Sequence, residues 1–265
     1  MFGAIIGDVV GSVYEFRPHK SKGFPLFSNR FGKRSHFTDD TVMTLAVAHG
    51  LADGGTPDAF IDAMKQFGAE FPHAGYGHKF RKWLKSDDRE PYNSWGNGSA
   101  MRVSPCAWYA TTLAEVERLA EVSAAVTHHH PEGIKGAKAV AAAIHLARAG
   151  KSKIEIRDYV ESTYGYDLHR TLAEIRPRYK FDSSARGSVP EAIIAFLEST
   201  DFEDAIRNAV SLGGDADTQA AISGSVAEAA YGIPLEIEEE AKNYLPFDFT
   251  EFINYWFHKY ANRGK

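Results

Sequence analysis

With a single cysteine in 265 residues there is no partner for an internal disulfide, so packing alone must hold the fold together. Cys106 sits in the apolar stretch Ser104-Pro105-Cys106-Ala107-Trp108 with no CxxC neighbour, and reads as a buried small hydrophobe before it reads as a nucleophile. No apolar run is long enough to cross a bilayer, and Met1 to Asp8 lack the basic start of a secretory signal, so a cytoplasmic protein without a membrane partner is expected. Positive charge is not in excess either. A formal net charge of −5 argues against general nucleic-acid binding, which needs many Lys and Arg contacts, while leaving room for a small anion held by local dipoles or metals. Repeats, low-complexity tracts and linkers are missing as well. Because 44% hydrophobic residues suffice for one large core, a single domain over residues 1–265 is the expectation, and a monomer with it.

What is present is helical periodicity, cut by Gly, Pro and Asp into segments of ordinary length. Residues 41–52 are the clearest case, with Val42, Leu45, Ala46 and His49 on one face. Further helices are expected over residues 58–70, 113–126, 131–149, 154–163, 190–198, 202–212 and 217–231. Ala139, Ala141, Ala142, Ala143 and Ala147 in one of these, and Ala220, Ala221, Ala227, Ala229 and Ala230 in another, let helix axes approach closely, as buried central helices require. An all-α domain of inner helices surrounded by outer ones follows. Gly3, Gly7 and Gly11, four residues apart, indicate a tightly packed first helix. Residues 21–36 form the one long stretch without periodicity, and such loops are often lids over sites.

Two acidic clusters carry the chemistry. Thr38-Asp39-Asp40-Thr41 and Gly213-Gly214-Asp215-Ala216-Asp217-Thr218 each place hydroxyls and carboxylates at an expected helix start. Either one alone is explained by N-capping, since Thr and Asp accept hydrogen bonds from free helix amides. Taken together they supply at least one Thr and two Asp apiece, a set of hard oxygen donors beyond what caps need and suited to Mg²⁺. If the two starts converge, four carboxylates would raise one another's proton affinities unless divalent cations neutralise them. The run His128-His129-His130 suggests zinc less well, because three successive side chains cannot all face one ion and no Cys accompanies them.

Five blocks then resemble one family. Gly7-Asp8-Val9-Val10-Gly11-Ser12-Val13-Tyr14-Glu15-Phe16, Phe37-Thr38-Asp39-Asp40-Thr41, Gly96-Asn97-Gly98-Ser99-Ala100-Met101-Arg102, Thr127-His128-His129-His130-Pro131 and Gly213-Gly214-Asp215-Ala216-Asp217-Thr218 are similar, in order and across nearly the whole chain, to the ADP-ribosylglycohydrolases. The resemblance implies an all-α fold with two Mg²⁺ ions, or Mn²⁺, at the bottom of a cleft. It makes Thr38, Asp39, Asp40, Asp215, Asp217 and Thr218 the metal ligands, and Glu15 a flexible acidic residue beside them. Glu15, Asp39 and Asp40 become the catalytic carboxylates. Gly96, Asn97, Gly98 and Ser99 become the turn that follows the ligand's diphosphate; Met101 and His128 are further substrate contacts, with loop packing an equal alternative for His128. Arg102 reads as a packing and ion-pair residue. Adenine is expected near Trp95, Tyr92 or Tyr109. Ala216 and Gln219 depart from the residues common in the family, and Gln219 bears on substrate preference through the groups behind the metal ligands or through the pocket wall.

The implied reaction is hydrolysis at the anomeric carbon of an ADP-ribosyl group, with two ions orienting the ribose and activating water. An ADP-ribosylated protein, arginine-linked by preference, is the expected substrate. The alternatives are a small ADP-ribose conjugate such as O-acetyl-ADP-ribose, or a non-catalytic ADP-ribose-binding protein. Intact acidic clusters weigh against the last, since repelling carboxylates serve no purpose in a degenerate member.

Overall fold

A computed structural model describes residues 1–30 and 32–261. Helices run in the order α1 (Phe2–Gly11), α2 (Asp39–Ala52), α3 (Pro57–Glu70), α4 (His78–Leu84), α5 (Gly98–Met101), α6 (Ser104–Tyr109), α7 (Leu113–Ala125), α8 (Pro131–Arg148), α9 (Lys153–Tyr164), α10 (Leu172–Ile175), α11 (Ala185–Leu197), α12 (Phe202–Val210), α13 (Ala216–Tyr231), α14 (Leu235–Lys242) and α15 (Phe247–Trp256), with a last turn of π-helix over Phe257–Ala261. A two-residue antiparallel pair, Asn29–Arg30 with Lys33–Arg34, is the one sheet among the described residues. No helix among them is long and apolar enough to cross a membrane.

The all-α expectation holds, and α1, α8, α11 and α13 form the buried centre. In α1 every residue is buried, and its glycines explain how. A Cβ on Gly3 would lie 2.3 Å from Gly224 O, one on Gly7 2.1 Å from Ala220 O, and one on Gly11 2.4 Å from Asp217 Cα. The four-residue spacing is therefore the contact line of α1 against α13, on which only glycine lets two backbones come so close. Because Gly11 meets Asp217 itself, this packing fixes the depth of the second acidic cluster. Ala139, Ala141, Ala142, Ala143 and Ala147 are buried in α8, as are Ala220, Ala221 and Ala227 in α13. Ala229 is half-buried and Ala230 exposed, because the end of α13 runs past the core.

Some helix limits differ from the sequence reading for physical reasons. α2 begins at Asp39, capped by the Thr38 side chain accepting from Asp40 N. α11 begins at Ala185 rather than at Pro190, because Ser184 caps it by accepting from Gly187 N and one turn precedes the proline. Among the described residues of 21–36, none lines the cleft described below. Phe24 is buried and its carbonyl accepts from Arg207 Nη1 at 2.6 Å, while Phe27 stacks on Tyr244 with ring centroids 5.1 Å apart. Phe31 of that stretch lies outside the described residues.

Candidate active site

α2 and α13 start at the floor of one cleft of about 450 Å³. Thr218 Oγ1, in the first turn of α13, donates to Asp40 Oδ2 in the first turn of α2 at 3.3 Å, so the two distant clusters meet. One oxygen each of Glu15, Asp215 and Asp217 can lie within 4.8 Å of one another, a spacing at which a single cation could take all three.

The two helix starts are built differently. Below α2 lies Asp8, fully buried in α1. Its Oδ2 accepts from Thr38 N at 2.8 Å, Thr41 N at 3.0 Å and Thr41 Oγ1 at 2.5 Å, and its Oδ1 accepts from Thr38 Oγ1 at 2.7 Å. Thr38 therefore caps α2 and donates to Asp8, and one oxygen lone pair remains for a cation. Asp215 occupies the N-cap position of α13 but makes no capping hydrogen bond with its side chain. Its Oδ2 instead accepts from Asn97 Nδ2 at 2.8 Å. Capping thus accounts for Thr38 and leaves the Asp215 carboxylate free of the helix.

Burial and mutual repulsion act together on these acids. Without a cation the Asp39 carboxyl is pushed up to about 7, by burial first and then by Asp8. Asp40 and Asp217 are raised well above the usual range, by burial and then by the neighbouring aspartates. Asp215 is raised by burial, against the opposing Asn97 hydrogen bond. Asp40 Oδ1 is buried with no hydrogen-bond partner. An unpaired oxygen among carboxylates that resist ionising is what an oxygen-coordinated divalent cation would satisfy, so the donor set fits one.

The cleft walls come from separate segments. Gly96, Asn97, Gly98 and Met101 line one side, and the Met101 sulfur lies 3.8 Å from Thr218 Oγ1. Ser99 does not face the cleft: its side chain is fully buried and donates to Gly133 O at 2.8 Å, because α5 packs on α8 there. Asn97 lines the cleft but spends its amide on Asp215, which makes it a support for the acidic cluster as much as a substrate contact. His128 is 5% exposed with Nε2 toward the glycine turn, and burial, followed by Arg102, holds its imidazole well below the ordinary value. His129 is exposed, and His130 caps α8 by accepting from Glu132 N, so the three histidines indeed part company. Tyr92 lines the cleft; Trp95 is exposed beside it, and Tyr109 is turned away against Tyr260 at 5.5 Å between centroids. Arg102 is buried as a packing residue, but among the described residues it has no carboxylate ion-pair partner; it donates to Thr127 Oγ1 and Ser123 O. Gln219 Nε2 donates to Tyr179 Oη at 3.1 Å beside the Gly213-Gly214 loop, so of the two places expected for it Gln219 takes the one behind the acidic cluster and not the cleft wall. Cys106 is buried with its thiol pushed up to about 12, as a packing residue should be.

Sequence reasoning missed three features. Asp8 carries no local signal of its role, which depends on partners 30 and 33 residues away. Gly75 has φ +111°, and a side chain there would come within 3.2 Å of Asp39 Oδ1, so a glycine-bearing loop closes over that carboxylate. Phe16 and Phe181, both exposed, stack 5.7 Å apart at 27° and line the cleft mouth.

Comparison with known proteins matches this architecture. The family model described as ADP-ribosylglycohydrolase covers residues 1–263. Mouse ADP-ribosylhydrolase ARH3 is 28% identical, over 97% of this chain and 89% of its own. The ADP-ribosyl-[dinitrogen reductase] glycohydrolase of Rhodospirillum rubrum is 28% identical over 87% and 84%, and the ADP-ribosylarginine hydrolase Tri1 of Pseudomonas putida 27% over 88% and 70%. A solved ADP-ribosylglycohydrolase-related protein complex superposes with a TM-score of 0.68 at 26% identity, covering 91% of this chain and 94% of that one. The fold and the sequence likeness are thus those of an ADP-ribosyl glycohydrolase. The chain belongs to the ADP-ribosylglycohydrolase family.

Proposed function

We propose that the protein is a dimagnesium-dependent hydrolase that cleaves the glycosidic bond between ADP-ribose and a protein side chain, arginine by preference. The observation that carries the reading is the meeting of Thr218 with Asp40 at the cleft floor, which gathers the carboxylates of both helix starts around one space. Thr38, Asp39, Asp40, Asp215, Asp217 and Thr218 would hold the ions, with Glu15 beside them. Bound there, the ions would supply Lewis-acid stabilisation of charge developing at the anomeric centre and its hydroxyls. The chain's own groups do the rest. Glu15, Asp39 and Asp40 line the cleft, and in this reading one of them takes a proton from the attacking water or gives one to the leaving group. The glycines at 96 and 98 let a diphosphate approach the backbone, and His128 faces the same turn. The flat faces of Phe16 and Phe181 at the mouth, or of Tyr92 deeper in, suit a purine ring. The arginine preference draws on the likeness to the arginine hydrolase.

The test is release of free ADP-ribose from arginine-, serine- and acetyl-linked substrates, with Mg²⁺ and after chelation. Mg²⁺-dependent release that is fastest from the arginine linkage is expected. Faster release from the acetyl ester would assign a small conjugate instead, and no release from any of the three would reject the enzyme.

A further inference from the structure

Beneath the glycine turn runs a chain of three polar side chains closed off from solvent. Arg102 is 1% exposed and Thr127 fully buried. Arg102 Nη2 donates to Ser123 O at 3.2 Å and to Thr127 Oγ1 at 2.8 Å, and the guanidinium lies over the Phe80 ring at 5.7 Å. Thr127 Oγ1 in turn lies 2.8 Å from His128 Nδ1. The other ring nitrogen points to the turn: a Cβ on Gly98 would lie 3.1 Å from His128 Nε2, and one on Gly96 3.7 Å.

The direction of these bonds follows from what each group can do. A guanidinium has donors only, so Thr127 Oγ1 must accept from Arg102. The hydroxyl then has its own proton to place, and Nδ1 of His128 is the acceptor in reach. Were Nδ1 protonated, it would take a second lone pair of Thr127 and leave the hydroxyl proton buried without an acceptor. A doubly protonated ring would add a buried cation beside that of Arg102. Both alternatives are disfavoured, and the single ring proton belongs on Nε2.

We infer that Arg102 and Thr127 are positioning residues that fix His128 in its neutral Nε2–H form, so that the ring presents a permanent donor to a ligand oxygen held against the turn at residues 96–98. The tautomer stands on the buried hydrogen bonds alone; that the ligand is an ADP-ribosyl group rests on the proposed function. The arrangement makes His128 a donor to an anionic or hydroxyl oxygen and unsuited to act as a base on the cleft side, leaving acid and base roles to the carboxylates.

The experiment is long-range proton–nitrogen correlation on protein labelled with ¹⁵N-histidine at pH 7, with His128 assigned by its loss in His128→Gln, together with calorimetric titration of ADP-ribose. Wild-type protein is expected to show a protonated Nε2 and a bare Nδ1 at His128. Thr127→Val, which keeps the shape and removes the hydroxyl, should mix the tautomers and weaken ADP-ribose binding about tenfold, and Thr127→Ser should restore both to near wild type. A wild-type ring protonated on Nδ1, or on both nitrogens, overturns the inference. So does a Thr127→Val protein with an unchanged His128 spectrum. Failure of the wild type to bind ADP-ribose would reject the proposed ligand, while the spectrum would still decide the tautomer.

Discussion

The two helix starts that share the cleft carry nearly the same residues and are supported in opposite ways. At α2 a buried carboxylate, Asp8, grips the turn through four hydrogen bonds, two of them from threonine hydroxyls. At α13 the support is steric: Gly11 of α1 lies against the backbone of Asp217, and one amide, from Asn97, steadies Asp215. Two different devices reach the same end, which is to keep like-charged side chains close together before any cation arrives. The polar brace places atoms finely, whereas the glycine contact sets how deep the whole helix can sit.

If that contrast is right, breaking the steric support should do the most damage. Gly7→Val puts a side chain into Ala220 O, 2.1 Å from the position of its Cβ, where backbone cannot yield. We expect loss of more than about 4 kcal/mol, seen as a collapsed thermal transition by circular dichroism. A melt like that of the wild type would show that α1 and α13 do not need the contact. Next come the carboxylates themselves. Asp39→Ala and Asp215→Ala should abolish ADP-ribose release yet keep the fold, because each relieves repulsion among buried acids and Asp215 gives up only the one hydrogen bond from Asn97. Measurable turnover in either would reject the paired-metal assignment.

Asp8→Asn separates the two supports more finely. The amide oxygen can replace Oδ2, but an N–H must then face Thr38 Oγ1 and occupy the lone pair a cation would use. A cation affinity 10–100-fold weaker is expected from titration with Mg²⁺ or Mn²⁺, of the order seen when groups behind metal ligands are changed. Asn97→Ala removes one hydrogen bond to a carboxylate and should cost less, about threefold in cation affinity. Equal effects of the two variants would erase the distinction between braced and lightly held clusters.

The smallest effect is on the metal-free protein's response to pH. Asp39, Asp40 and Asp217 have folded-state values above the ordinary 3.8, so folding takes up protons. The stability that Asp39 contributes is full below about 3.8 and is lost as pH rises through about 7, and Asp40 and Asp217 act in the same direction. Melting temperature without divalent cations should therefore fall between pH 5.5 and 8, and Mg²⁺ should raise it more at the alkaline end. A metal-free protein whose stability climbs over that interval would contradict the clustering of these acids.

Much of this was legible in the chain, and the exceptions have physical causes. The Thr-Asp and Gly-Asp starts mark α2 and α13 because caps and oxygen ligands draw on the same side chains, and the glycine spacing of α1 foretells close packing though not against which helix. Asp8 was unreadable, since an acid inside an apolar helix signals nothing until Thr38 and Thr41 are folded onto it. Ser99 stood in a glycine turn that fits a ligand, yet the turn becomes a short helix whose packing sends its hydroxyl to Gly133. Pro190 looked like the start of a helix because its ring suits that position, and the capping by Ser184 one turn earlier overrode it. The Phe16–Phe181 pair joins residues far apart in the chain, which no local pattern anticipates.

The most direct measurement is an anomalous-scattering map from crystals soaked in Mn²⁺. The account predicts two peaks at the cleft floor, each within coordination distance of oxygens from both helix starts, with Asp40 and Asp217 on either side. Peaks touching the residues of one cluster only, or no peak at saturating Mn²⁺, would contradict it.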